Sequence, residues 1–139
     1  MRQALGIAVW RFAQAEAQKE DDLLGGESLQ RAARIEYAIK AAEAQGVDPR
    51  HQSLSKALQI AFDLRALRAM RYCQHLMSSI EPDVLGSAGK VANLIDQVIQ
   101  DASELYGVPK DHKHMEEARR LVLKARTEEA QAKRRAAQS

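Results

Sequence analysis

The stretch EAQGVDPRHQSLSKAL, residues 43–58, contains the end of one predicted helix and the start of the next. Gly46 tolerates the left-handed backbone that is common just beyond a helix C-terminus, and Pro49 cannot continue a helix. Ser53 is a residue type favoured at helix N-caps, and an apolar pattern resumes after it. The stretch therefore predicts a corner between two helices.

The composition favours helices throughout the chain. Apolar residues make up 45% of the 139 residues, and aromatic residues only 4%. The 7 Gly and 3 Pro provide few turns, whereas Ala, Leu, Gln, Glu, Lys and Arg are strong helix formers. The sequence predicts an all-α protein, and its length suits one domain.

Apolar residues recur at helical spacing in five segments. The predicted helices span residues 2–18, 29–45, 53–79 and 84–106, and a fifth begins near residue 110. The inner faces are predicted at Leu5, Val9 and Phe12; at Ala32, Ile35, Ile39 and Ala42; at Ala88, Val91, Ala92, Ile95, Val98, Ile99, Ala102 and Leu105; and at Met115, Ala118, Leu121 and Val122. The third helix is apolar over a wide arc, which places it inside the bundle or in a subunit contact. We expect the third and fourth helices to form a long antiparallel hairpin, with the first two packed across it.

The charge is divided unevenly along the chain. The formal net charge is +2, yet residues 118–139 contain seven Arg or Lys and two Glu, so this segment carries +5 and the rest −3. We predict a helical domain over residues 1–123 and a basic, poorly ordered tail over 124–139. Lys133, Arg134 and Arg135 of that tail are candidates for binding nucleic acid or an acidic partner, and the alternative is a solvated tail.

Several classes of function lack support in the sequence. Cys73 is the only cysteine, so no internal disulfide forms. Cys73 and His75 are two residues apart, as are His112 and His114, which is not the spacing of metal ligands on a helix. No apolar run is long enough to span a bilayer. We expect a soluble, cytoplasmic protein without membrane contact, metal, cofactor or catalytic residues.

The opening corner has features of a DNA-binding helix-turn-helix. Ala42 is small, Gly46 supplies the turn, and Val47 can fill the space between the helices. The predicted DNA contacts are the polar and basic residues around the start of the second helix: Arg50, His51, Ser53, Ser55 and Lys56. The alternative is an ordinary bundle corner, since the connection is about two residues longer than the tightest form of the motif.

A second candidate surface lies on the third helix. Arg65, Arg68 and Arg71 recur every three residues and form a basic strip that can follow a phosphate backbone. Alternatively, this strip pairs with the acidic face of the fourth helix, which carries Asp96, Asp101 and Glu104.

The octapeptide RAMRYCQH, residues 68–75, resembles the Arg-and-His signature of the helical HEPN ribonucleases. In that family the pair comes from each of two subunits, and the resemblance implies that His75 activates a ribose hydroxyl beside Arg68. Ala69 stands where the family usually has a polar residue. The alternative is a surface histidine on a long helix.

The corner pattern occurs twice in the chain. AEAQGVDPRHQSLSKAL and SELYGVPKDHKHMEEARRL share a helix end, Gly-Val, proline, a basic residue, histidine and a new helix. The pattern indicates either repeated corner chemistry or an internal duplication.

The interpretation that best accommodates these features is a non-enzymatic small subunit of a bacterial or phage complex. It would contact DNA more than RNA, as a homo-oligomer or within a larger assembly. The alternative is a protein-binding module, such as an adaptor, inhibitor or chaperone, that uses Trp10 and the apolar third helix.

Overall fold

The protein is a bundle of α-helices. The computed structural model describes residues 2–19 and 26–138, which form five helices and no strand. The helices are α1 (Arg2–Ala17), α2 (Gly26–Ala44), α3 (Gln52–Ser78), α4 (Ser87–Tyr106) and α5 (Lys113–Gln138). Helical residues make up 82% of the described chain, so the predicted all-α class is confirmed.

The chain divides into two compact units, Met1–Arg68 and Ala69–Ser139. The first unit has a core built from α1, α2 and the N-terminal part of α3: Val9, Ala13, Ala32, Ile35, Ile39, Ala42, Val47, Leu54, Ala57, Ala61 and Leu64. The second unit has a core built from the C-terminal part of α3 with α4 and α5: Cys73, Val91, Ala92, Ile95, Ala118, Val122 and Ala125. Helix α3 is apolar over a wide arc because it supplies buried residues to both cores.

Helix α5 continues beyond the last residues of its predicted apolar face. Helix α5 crosses residue 124 without a break and continues to Gln138. Ala125 is fully buried and Glu129 is 9% exposed. The basic C-terminal segment is therefore helical, and its first turns contribute to the core of the second unit.

A buried arginine connects α1 to α2 within the first unit. Arg31 is 2% exposed. Its Nη1 donates to the carbonyl oxygens of Glu16, at 3.3 Å, and of Lys19, and its Nη2 donates to Oγ of Ser28 at 3.1 Å. The guanidinium thus satisfies carbonyl groups at the C-terminus of α1 that have no partner within the helix. Ser28 lies in the first turn of α2, which begins at Gly26.

The same corner joins α2 to α3 and α4 to α5. Gly46 and Gly107 have positive φ angles of 97° and 72°, the left-handed conformation that ends many helices. The valine after each glycine is buried, with Val47 3% and Val108 1% exposed. The N–H groups of these valines donate back to Ala42 and Ala102, both at 3.1 Å.

The resemblance between the two units extends beyond the corner. Ala32, Ile35 and Ala42 are buried in α2, and the same residue types are buried in α4 sixty positions later, at Ala92, Ile95 and Ala102. An ion pair joins Glu36 to Arg65 in the first unit, and another joins Asp96 to Arg126 in the second. Core, corner and ion pair therefore occur in the same order twice, which favours internal duplication over chance repetition of corner chemistry.

Candidate nucleic-acid interface

The start of α3 is capped by a histidine. Nδ1 of His51 accepts a hydrogen bond from the Ser53 N–H at 3.1 Å, so His51 occupies the N-cap position expected for Ser53. The ring also lies against α1, since a Cβ added to Gly6 would come within 3.2 Å of Nδ1. Ser53 is 8% exposed. Two of the five residues predicted to read DNA are thus engaged inside the first unit.

The other three residues of the corner are exposed. Arg50 lies 3.7 Å from the Asp48 carboxylate, and its side chain is 92% exposed. The Lys56 ammonium lies 4.3 Å from the ring centroid of Trp10, a cation–π contact that leaves the residue at the surface. Ser55 is exposed as well. The corner therefore offers two cations and a hydroxyl group to solvent.

The basic strip predicted on α3 begins with an arginine that is buried and neutralised. Arg65 is 8% exposed. Its Nε donates to Oε1 of Glu36 at 3.0 Å, and its Nη2 donates to the same oxygen. This partner lies on α2, whereas the sequence had suggested partners on α4. Binding a phosphate through Arg65 would require breaking this pair, so we exclude Arg65 from the interface.

The remaining members of that strip are half-buried. Arg68 and Arg71 are both partly covered, and His75 is exposed on the same helix. Both arginines take part in polar interactions, so neither is a free cation. The ribonuclease hypothesis for Arg68 and His75 stays a prediction.

The exposed cations of the second unit are concentrated on α5. Arg120, Lys124 and Arg134 fall within one side of the helix at 100° per residue, and we call these three residues the α5 basic strip. All three are exposed, and none forms an ion pair with another residue that the structure describes. Lys133 is also exposed, and Arg135 donates to the carbonyl oxygen of Pro82 at 3.3 Å. The strip is about 21 Å long at 1.5 Å per residue.

A separate charged cluster lies between α1 and α2. The Glu16 carboxylate is 3% exposed and pairs with Arg34 at 3.0 Å and with Lys19 at 2.9 Å. The hydrogen bond from Arg34 is the main reason that the pKa of Glu16 lies below its ordinary value, and Lys19 adds to this effect while burial opposes it. The carboxylate raises the pKa of Arg34 in turn. Lys19 and Arg34 share this one carboxylate, and their side chains are about half exposed, so the cluster keeps a net positive charge at the surface of the first unit.

The histidines of the second corner have a structural position. Nδ1 of His112 accepts a hydrogen bond from the His114 N–H at 3.1 Å, which caps α5 as His51 caps α3. The ring centroids of His112 and His114 are 5.3 Å apart. Cys73 is fully buried. Across residues 2–19 and 26–138, no three His, Cys, Asp or Glu side chains come together as a metal site, and no helix has the length and apolarity to cross a bilayer.

The fold and this surface define an all-α protein with a cationic C-terminal helix. Comparisons with protein-family models, curated proteins and solved structures found no match to the chain.

Proposed function

We propose that this chain is a non-enzymatic helical protein that binds the phosphate backbone of nucleic acid, with α5 as its main contact. The observation that carries the proposal is the α5 basic strip. Arg120, Lys124 and Arg134 are exposed on one side of an ordered helix, and no described carboxylate pairs with them. A cation that is already positioned and unpaired can bind a phosphate without first breaking another contact.

The local charge supports an anionic partner with many charges. Residues 118–139 carry +5 while the rest of the chain carries −3. Duplex DNA carries about one negative charge per 1.7 Å of its axis, so a strip about 21 Å long passes many phosphates. Its wide major groove admits an α-helix, which favours DNA over RNA.

Three cations give weak binding, which favours action as part of an assembly. Several copies of the strip in a homo-oligomer or a larger complex would bind one nucleic acid together, and the linked contacts would raise the overall affinity. Arg50, Ser55 and Lys56 form a second contact at the α2–α3 corner. This role fits a small subunit of a bacterial or phage complex.

The proposal is tested by neutralising the strip. The triple variant Arg120→Gln, Lys124→Gln, Arg134→Gln should bind a short fluorescent DNA duplex at least about tenfold more weakly than the unchanged chain. The matched control is Arg11→Gln, Lys40→Gln, Lys90→Gln, which removes three exposed cations from α1, α2 and α4. Fluorescence anisotropy measures both dissociation constants.

The control separates a specific strip from general attraction between charges. The two triple variants have the same net charge, so equal loss of binding in both would contradict a role for the strip. No binding of duplex or single-stranded nucleic acid by the unchanged chain at low salt would contradict the function itself.

A second function, binding of a protein partner, is favoured by an apolar surface on the first unit. Phe12 is 38% and Tyr37 is 76% exposed, and both line an open cavity of about 440 Å³. Trp10, the aromatic residue expected in this role, is half-buried beside Lys56. Loss of a copurifying or self-associated state in Phe12→Ser, Tyr37→Ser, with nucleic-acid binding retained, would support this second function.

A further inference from the structure

The second unit contains a small cavity with a buried carboxylate in its wall. The cavity has a volume of about 270 Å³ and lies between the 79–86 connection, the start of α4 and the C-terminal half of α5. Glu129 lines it and is 9% exposed. No residue in the described part of the chain donates a hydrogen bond to its buried Oε2. A buried carboxylate oxygen without a donor is costly, which makes the Glu129 carboxylate a candidate ligand contact.

The position of Glu129 is set by close helix packing. A Cβ added to Gly89 of α4 would lie 3.4 Å from Cγ and 3.7 Å from Oε1 of Glu129. These distances are ordinary van der Waals contacts, so α4 lies directly beside the Glu129 side chain. The carboxylate is held between two helices instead of extending into solvent.

The lining of the cavity is negative on balance. Glu81, Glu128 and Glu129 contribute three carboxylates, and Arg135 contributes one guanidinium group. Nη2 of Arg135 donates to the carbonyl oxygen of Pro82 at 3.3 Å. The formal charge of the lining is −2, so the cavity favours a cation.

The rest of the lining selects the kind of cation. Ile80, Val84 and Ala88 give the cavity an apolar wall beside its carboxylates. The described carboxylates do not come together as a metal site, whereas an apolar wall suits an alkyl chain. The volume lies just below the range of about 300–1,000 Å³ typical of drug-sized ligands, so it fits a small molecule or one side chain.

We propose that this cavity binds a primary alkylammonium group, with the Glu129 carboxylate accepting a hydrogen bond from its nitrogen. The group belongs either to a free amine or to a lysine side chain of a peptide, since both present the same chemistry. The site is independent of the α5 basic strip, because its contacts are carboxylates and the strip binds phosphates.

The test uses n-butylammonium chloride as the probe and the full chain as the receptor. Titration followed by amide NMR should give saturable shifts within residues 80–88 and 128–135. The variant Glu129→Gln keeps the shape but loses the charge, so it should bind about tenfold more weakly or worse. The control Glu116→Gln removes an exposed carboxylate from the first turn of α5, away from the cavity, and should change the affinity by less than about twofold.

Two further comparisons use the unchanged protein. n-Butanol has the same alkyl chain without the charge, so it should bind much more weakly than n-butylammonium. An acetyl-Gly-Lys-Gly-amide peptide that binds, while its norleucine counterpart does not, assigns the site to lysine side chains. Binding of n-butylammonium alone assigns it to free amines.

The proposal is overturned by any of three results. These are no saturable shift around the cavity, n-butanol binding as tightly as n-butylammonium, or unchanged affinity in a folded Glu129→Gln variant. None of them bears on DNA binding by the α5 basic strip.

Discussion

A histidine is the N-cap of each of the two helices, α3 and α5, that follow a corner. His51 and His112 each accept the N–H of the residue two positions later, both at 3.1 Å. Their own N–H groups donate back to Asp48 and Pro109. Each imidazole therefore replaces one of the hydrogen bonds that the first turn of a helix lacks. At the residue scale, the same side chain thus has the same structural role in both units.

Removing these caps should destabilise the protein. His51→Ala and His112→Ala should each lower the free energy of unfolding by about 0.5–2 kcal/mol, the usual cost of losing a helix cap. Chemical denaturation monitored by circular dichroism measures the effect. His75→Ala changes an exposed histidine and is the control, with an expected effect within about 0.5 kcal/mol. Equal effects in all three variants would contradict the capping role.

The Glu16 pair should make stability depend on pH in the acid range. The folded-state pKa of Glu16 lies below its ordinary value of 4.5, so the pair stabilises the fold above pH 4.5. That contribution is lost as the pH falls through the folded-state pKa. As the pH falls from neutral into the acid range, the free energy of unfolding should therefore decrease less in Glu16→Gln than in the unchanged chain.

The control for this effect is Glu43→Gln, which alters an exposed carboxylate on α2. Its pH profile of unfolding free energy should follow that of the unchanged chain. An unaltered profile for Glu16→Gln would contradict the assigned ion pair.

At the scale of the helices, periodicity in the sequence predicted the elements better than their contacts. The inner face of α2 is confirmed, since Ala32, Ile35, Ile39 and Ala42 are buried. The predicted faces of α1 and α4 are partly wrong: Phe12 is 38% and Leu105 is 69% exposed. In α1 the fully buried residue is Ala13, one position from Phe12, because a small residue permits close approach of a neighbouring helix.

The caps and ion pairs were not predictable from local sequence. Serine is a more common N-cap residue than histidine, so residue preferences alone predicted Ser53 as the N-cap instead of His51. Arg65 lies 29 residues from Glu36, and a pair between two helices depends on how the helices pack. The contact between His51 and Gly6 depends on the same packing.

The ion pair between Glu36 of α2 and Arg65 of α3 should stabilise the packing of these two helices. Arg65→Ala should lower the free energy of unfolding by about 1–3 kcal/mol, because Oε1 of Glu36 loses its donors. DNA affinity of this variant should remain unchanged, since Arg65 is buried. A double-mutant cycle with Glu36→Ala measures the coupling, and a loss of DNA binding equal to that of the α5 triple variant would contradict our assignment.

At the scale of the whole molecule, the chain consists of two three-helix units that use α3 in common. The sequence contains the repeated Gly-Val and histidine pattern. Periodicity could not assign α3 to two cores, because an apolar arc around a helix has the same pattern whether one core or two surround it. The uneven charge was visible in the sequence, but the exposure of Arg120, Lys124 and Arg134 on an ordered helix required the structure.

The salt dependence of DNA binding tests the proposed function most directly. Each phosphate contact contributes a slope of about −0.9 to a plot of log affinity against log salt concentration, so the three cations of the α5 basic strip contribute about −2.7. We predict that the slope of the Arg120→Gln, Lys124→Gln, Arg134→Gln variant is less steep by about that amount, while the Arg11→Gln, Lys40→Gln, Lys90→Gln control keeps the slope of the unchanged chain. Identical slopes for the unchanged chain and the α5 variant would contradict it.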